Sequence, residues 1–231
     1  MDKSIILFPI SVDSRRFGTE ETVSALNNIQ SNCDEMIFLI ADGLQVYNKA
    51  SQIDDGKPLT NIIRNFNLKN DYYSEREKWL MQTIKPQCET HISEVSWTVK
   101  NVFSISDNIF HNIYRNVIIA YLAIDDFRND IVKTAKKHRS KFSQSVTDFA
   151  LDLSISYIIE EIALNLRMRV IEKIKSEYYL GDLPSPLTNL YLGRYEIDVF
   201  TLAGVEFSSF KFDFFHSPNT NKFTRWTRVS L

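Results

Sequence analysis

The chain has 231 residues, 44% of them hydrophobic and 13% aromatic, with 27 Lys and Arg against 29 Asp and Glu for a formal charge of -2. That composition excludes a disordered chain and a globally basic one: there is enough apolar material for one large core, and a nucleic-acid partner would have to meet a local patch. Six Gly and six Pro leave little for a flexible linker, so residues 1–231 read as a single domain.

In chain order, residues 4–10, SIILFPI, form a short continuous apolar run, as expected of a strand buried on both faces of a parallel sheet. The chain then passes Ser11, Ser14, Arg15, Arg16 and Gly18 to Thr19, which with Glu20 and Glu21 reads as a cap and acidic first turn of a helix. A second buried strand, EMIFLI at 35–40, follows, and the three elements make a βαβ unit of α/β type. Ligands of open α/β sheets bind beyond the carboxyl ends of the strands, so the segments 11–16 and 42–47 are expected to share one crevice.

Residues 59–66 and 73–84 look helical, and 97–105, WTVKNVFSI, alternates as a third strand would. A long helical second half is expected from about 107 to about 178, with breaks near Asp125 and near 143–145, ended by Leu183, Pro184, Ser185 and Pro186. Strand-like pieces remain at 196–202, 205–212 and 224–229. Cys33 and Cys88 share no CxxC spacing and read as reduced structural residues, which with the absence of a signal-peptide pattern points to a cytoplasmic location. Asp152, Glu160 and Glu161 interrupt the most apolar stretch, so no membrane span is expected.

Within residues 151–166, LDLSISYIIEEIALNL, apolar side chains leave no continuous polar face, which makes a buried helix. Phe149, Leu153, Tyr157 and Glu161 nevertheless form an i, i+4 line that sets a phenol and a carboxylate one turn apart on one side. A buried carboxylate costs several kcal/mol unless paired. Glu161 is accounted for by a salt bridge, by a Glu160/Glu161 pair in which one residue reaches water, or by a pocket floor that receives a ligand's ammonium group. Ser11, directly after an apolar strand, is either a capping residue or a hydroxyl held near helix-terminal N–H groups able to stabilise an oxyanion. Residues 128–141 hold six Lys or Arg and one acid, and Lys133, Lys137 and Lys141, flanked by Lys136 and Arg139, line up as a basic stripe. Such a stripe is a solvated face or a contact for an RNA backbone. The chain lacks GxGxxG, GxxxxGK[ST], HIGH and KMSKS, so no nucleotide cofactor is expected, and its four scattered histidines suggest no metal site.

Taken together, these residues resemble a tRNA-dependent cyclodipeptide synthase. An apolar strand running into Pro9, Ile10, Ser11, then Ser14 and Phe17, matches the family's strand and G-x-S loop, with Pro9 in place of the glycine. Tyr157 and Glu161 match its Y-x-x-x-E helix, and Tyr179, followed by Leu180 and Gly181, matches a further tyrosine beyond that helix. The resemblance implies one Rossmann-like domain, a mostly parallel sheet flanked by helices, related to tyrosyl-type class I aminoacyl-tRNA synthetases. It implies two aminoacyl-tRNAs as substrates and no cofactor. In that scheme Ser11 accepts an aminoacyl group as an ester, Tyr157 and Glu161 hold its ammonium, and Tyr179 positions substrate or relays a proton. Ser14, Leu7 and Pro9 would line the substrate pocket, and Lys133, Lys136, Lys137, Arg139 and Lys141 would meet tRNA, the enzyme acting as a monomer. The competing readings are a non-catalytic Rossmann-like module that binds tRNA or protein, and a hydrolase with Ser11 as nucleophile, for which no His/Asp partner is evident.

Overall fold

The computed structural model describes residues 5–10, 34–40, 47, 58, 60–61, 89–92, 108–140, 147–167, 176–180, 185–197, 199–204, 213–217 and 226–230, with side chains at 34, 47, 58, 60–61, 109–140, 147–167, 185–197, 199 and 201–204. The apolar runs IILFPI and EMIFLI become β1 (Ile5–Ile10) and β2 (Glu35–Ile40), paired in parallel from Ile5 opposite Glu35 to Ile10 opposite Ile40. β3 (Glu89–Ile92) runs parallel on the far side of β2. On the other side of β1 lies β4 (Ser176–Leu180), also parallel. Beyond it, β5 (Asp213–Ser217) and β6 (Trp226–Ser230) complete a six-stranded sheet of order β3-β2-β1-β4-β6-β5, with β6 antiparallel to both its neighbours. The chain therefore winds outward from β1 through β2 to β3, then returns to the opposite flank of β1. This makes the β1/β4 seam the topological switch point, where open sheets of this kind part beyond their carboxyl ends. The recorded β1–β4 pairing covers Ile6 and Leu7 and stops short of Pro9, which has no N–H to give the ladder.

Between β3 and β4 the described residues form three helices. In α1 (Asn108–Ala123) the buried residues Phe110, Ile113, Val117 and Ala120 recur at helical spacing. A single extended residue, Ile124, separates it from α2 (Asp125–Arg139), so the expected break near Asp125 falls there. Asp125 and Asp126 in the first turn of α2, and Lys136, Lys137, His138 and Arg139 in its last, suit the helix dipole. The Arg128 guanidinium closes the corner by donating to the Leu122 carbonyl at 3.0 Å and pairing with Asp125. In α3 (Asp148–Leu166) the N-cap Thr147 accepts from the Ala150 N–H at 3.2 Å, and eleven residues are buried. α3 packs against α1 and α2, and Phe127, Ile131 and Ile113 are the largest side chains fully enclosed in that core.

Two expectations are corrected. The helical pattern does not run to Tyr178, since Ser176–Leu180 is β4, and its place beside β1 outweighs local helix propensity. Residues 196–202, expected as a strand, contain the start of α5 (Val199–Ala203), whose Val199, Leu202 and Ala203 turn into the helical core. α5 is held there by Asn116 of α1, whose amide donates to the Leu202 carbonyl at 3.1 Å. α4 (Ser185–Tyr191) begins inside the Pro-rich stretch that was expected to end the helices, and it packs on α2. Residue 60 and residue 61 are helical within the expected helix 59–66, whereas 73–84, 97–105 and 205–212 lie outside the described residues.

Candidate active site

The Tyr157 and Glu161 line lies on α3 as the spacing requires, but it is the helix's half-exposed side: Phe149 is exposed, and Leu153, Tyr157 and Glu161 are each partly buried. The carboxylate withdrawn from water is its neighbour, Glu160, at 5% exposure. Ala150, Ser154, Ile158, Ile162 and Leu166 define the direction of the core, and the remaining buried arc takes in Ile155, Ile159 and Glu160. This corrects the expectation that Glu161 is the carboxylate in need of compensation. The other buried polar residues of α3 each make a bond within the helix: the Ser154 hydroxyl donates to the Ala150 carbonyl at 3.1 Å and the Asn165 amide nitrogen to the Glu161 carbonyl at 2.8 Å. Glu160 is too remote from any free backbone donor in mid-helix to do likewise, and its partner comes from elsewhere in the chain.

That partner is Tyr47, which is in helical backbone on the segment following β2 and donates its hydroxyl to Glu160 Oε2 at 2.5 Å. The contact is at the short end for a hydroxyl-to-carboxyl hydrogen bond. Burial pushes the Glu160 carboxyl above its ordinary pKa, and the Tyr47 hydrogen bond only partly opposes that rise. Burial and the adjacent carboxylate both push the Tyr47 phenol upward, and Tyr114 of α1 is raised by burial and by the same carboxylate. Two phenols thus surround one buried acid with no basic side chain paired to it among the described residues. Of the segments 11–16 and 42–47 expected to share a crevice, only Tyr47 lies among the described residues, and it reveals itself through its contact across the fold.

Tyr157 has a ring neighbour on α2: the His138 imidazole lies nearly parallel to it, with centroids 6.3 Å apart. His138 belongs to the basic stretch, of which Lys133, Lys136 and Lys137 are exposed. Arg139, grouped with them in the sequence, is 5% exposed, because it continues the Phe127, Ile131, Ala135 line that faces the core, and so it does not share their surface. Lys141, Ser11 and Ser14 lie outside the described residues, and Leu7, Pro9 and Tyr179 are placed by their backbone alone. Leu7 and Pro9 are in β1 and Tyr179 in β4, the two strands of the switch point, and Ser11 is the residue after β1 ends.

A second polar cluster ties α2 to α4. Tyr195 donates its hydroxyl to Asp130 Oδ2 at 2.7 Å, the Asn189 amide donates to the same oxygen at 2.6 Å, and Tyr195 meets Phe127 edge to face. Every member has a partner, as an interhelical brace requires. Among the described residues no three His, Cys, Asp or Glu side chains gather to hold a metal ion, and no helix is long and apolar enough to cross a membrane.

Solved structures match this arrangement of sheet and helices. A cyclodipeptide synthase from Fluoribacter dumoffii superposes with a TM-score of 0.66 over 82% of this chain and 81% of that one, at 17% identity. The chain has the fold of the cyclodipeptide synthases. The synthase from Streptomyces noursei agrees at a TM-score of 0.62 over 91% of both chains, with 11% identity. That from Candidatus Glomeribacter gigasporarum, whose structure is bound to Phe-tRNAPhe, gives 0.57 over 82% of both at 16% identity. No protein-family model matches the sequence, and no curated protein does. A cyclodipeptide synthase fold is thus carried by a sequence whose identity to these structures is 11% to 17%.

Proposed function

We propose that this protein is a cyclodipeptide synthase, an aminoacyltransferase that joins the aminoacyl groups of two aminoacyl-tRNAs into a 2,5-diketopiperazine. The observation that carries the reading is the synthase fold spanning four-fifths or more of both chains in each of these three comparisons, with Tyr157 and Glu161 on one side of α3. Ser11 attacks the ester carbonyl of the first aminoacyl-tRNA; the acyl–oxygen bond to the tRNA breaks, the tRNA hydroxyl leaves with a proton, and an aminoacyl-serine ester forms. Glu161 and Tyr157 hold the ammonium of that aminoacyl group. The amine of the enzyme-bound residue, once deprotonated, attacks the ester carbonyl of the second aminoacyl-tRNA; that acyl–oxygen bond breaks, the second tRNA hydroxyl leaves with a proton, and a dipeptidyl ester remains on Ser11. Its free amine closes on the ester carbonyl, releasing the cyclic product and restoring the serine hydroxyl, with Tyr179 at the switch point as the proton relay.

The aminoacyl esters are already activated, so the scheme consumes no ATP and calls on no cofactor. Leu7, Pro9 and Ser14 shape the pocket for the first aminoacyl group. Lys133, Lys136 and Lys137 meet the tRNA backbone, joined by Lys141, in a single-domain protein that works as a cytoplasmic monomer. The test is mass spectrometry of medium from cells expressing the wild type and Ser11→Ala. Cyclic dipeptides are expected with the wild type only. Blank media from a soluble, folded wild type would remove the synthase reading in favour of a tRNA-binding module of the same fold.

A further inference from the structure

We propose that Tyr47 and Glu160 are positioning residues for the aminoacyl-transfer site, their hydrogen bond holding α3, and with it Tyr157 and Glu161, to the segment that leaves the carboxyl end of β2. The inference rests on the synthase reading for what the site does, and on geometry for how it is held. Tyr47 and Glu160 are 113 residues apart in sequence and meet at 2.5 Å. One belongs to the βα side of the sheet, where ligands of such folds bind. The other stands in α3 directly before Glu161 and three residues after Tyr157, so a shift of its backbone moves both.

The bond joins the two parts of the molecule that must act together. β1, β2 and the segments after them supply Ser11, whereas α1 to α3 pack among themselves and supply the ammonium-holding pair. Within α3 the Ser154 hydroxyl and the Asn165 amide nitrogen bond to their own helix. Glu160 reaches out of it to Tyr47, and a buried acid placed there without such a task could be replaced by an apolar residue with little loss. The withdrawal of Glu160 from water also argues against direct contact with substrate. Burial favours its neutral form, and either form accepts the Tyr47 proton.

The experiment uses the full chain as wild type, Tyr47→Phe, Glu160→Leu, Glu160→Gln and the Tyr47→Phe/Glu160→Leu double variant. Each is assayed for cyclic dipeptide formation from aminoacyl-tRNA and for hydrogen exchange of the peptide covering residues 157–166. Tyr47→Phe and Glu160→Leu are each expected to lower kcat about tenfold with KM for aminoacyl-tRNA little changed, since a misplaced ammonium clamp costs rate rather than tRNA affinity. The double variant should be no worse than either single one, and Glu160→Gln, whose amide oxygen still accepts from Tyr47, should recover most of the rate. Exchange in 157–166 should quicken in Tyr47→Phe, which deletes one hydroxyl and keeps the ring packing. Wild-type kcat and exchange in Tyr47→Phe would overturn the proposal, as would a Glu160→Gln variant as inactive as Glu160→Leu, which would make Glu160 a proton-transfer group. Should the wild type form no cyclic dipeptide, the synthase reading falls by itself, and unchanged exchange in Tyr47→Phe would still sink the clamp.

Discussion

Glu160 has consequences for stability as well as for the site. Its folded-state pKa is raised, burial being the cause, so the folded protein binds that proton more tightly than the unfolded chain does. The stabilisation from this difference is complete below the unfolded value of about 4.3 and is lost as pH rises through the folded one. Glu160→Gln carries no such titration. Thermal melts should therefore find the variant and the wild type alike near about pH 4, and the variant increasingly the more stable toward neutrality. An opposite trend would mean that the Tyr47 bond, not burial, dominates. This residue also marks the limit of sequence reading. The i, i+4 spacing correctly put Tyr157 and Glu161 on one side, yet two adjacent glutamates on an apolar helix differ by only about 100° of rotation. Which of them turns inward is settled by Tyr47, a partner 113 residues away.

Among the elements, those written in strong periodicity were legible: β1 and β2 as apolar runs, α1 to α3 as a helical stretch broken near Asp125. Those that depend on neighbours were not. SEYYL has no decisive local preference and is a strand because β1 and β6 lie on either side of it. Residues 199–203, VFTLA, are rich enough in β-formers to suggest a strand, but one turn of helix buries Val199, Leu202 and Ala203 together. α4 ends in a Schellman motif, with Gly193 N–H donating to the Leu190 carbonyl at 3.1 Å, Arg194 N–H to the Asn189 carbonyl at 3.0 Å, and Gly193 at φ 62. A Cβ on Gly193 would meet nothing within 4 Å, so Gly193→Ala should cost only the left-handed backbone strain, about 1 kcal/mol in a denaturant titration. Gly193→Asn should cost less, because asparagine tolerates that conformation. A larger loss would mean that this turn presses on something beyond its own backbone.

For the whole molecule, a formal charge of -2 conceals an uneven distribution. Lys133, Lys136 and Lys137 project from the exposed side of α2, while Arg139 is spent in the core. Replacing the three lysines with Ala should weaken tRNA binding and reduce the steepness of log K against log salt by about 2, since each phosphate contact contributes about 0.7 to 0.9. Filter binding across a salt series measures both, and an unchanged slope would move the tRNA contact elsewhere. His138, in the same turn as Lys136 and Lys137, stacks on Tyr157, so the surface proposed for the RNA backbone is one side chain removed from the residue proposed for the aminoacyl ammonium.

The seam between β1 and β4 sets how divisible this protein is. Ile6 lies beside Ser176, so the two strands at the centre of the sheet come from distant parts of the chain, with the entire α1 to α3 layer threaded between them. A fragment ending at Leu166 would hold Ser11, Tyr157 and Glu161 but lack the strand that flanks β1, and a fragment beginning at α1 would hold Tyr179 with no β1 for its strand to join. Neither piece contains all four residues of the proposed site, so both fragments should fail to form cyclic dipeptide, alone or as separately purified halves.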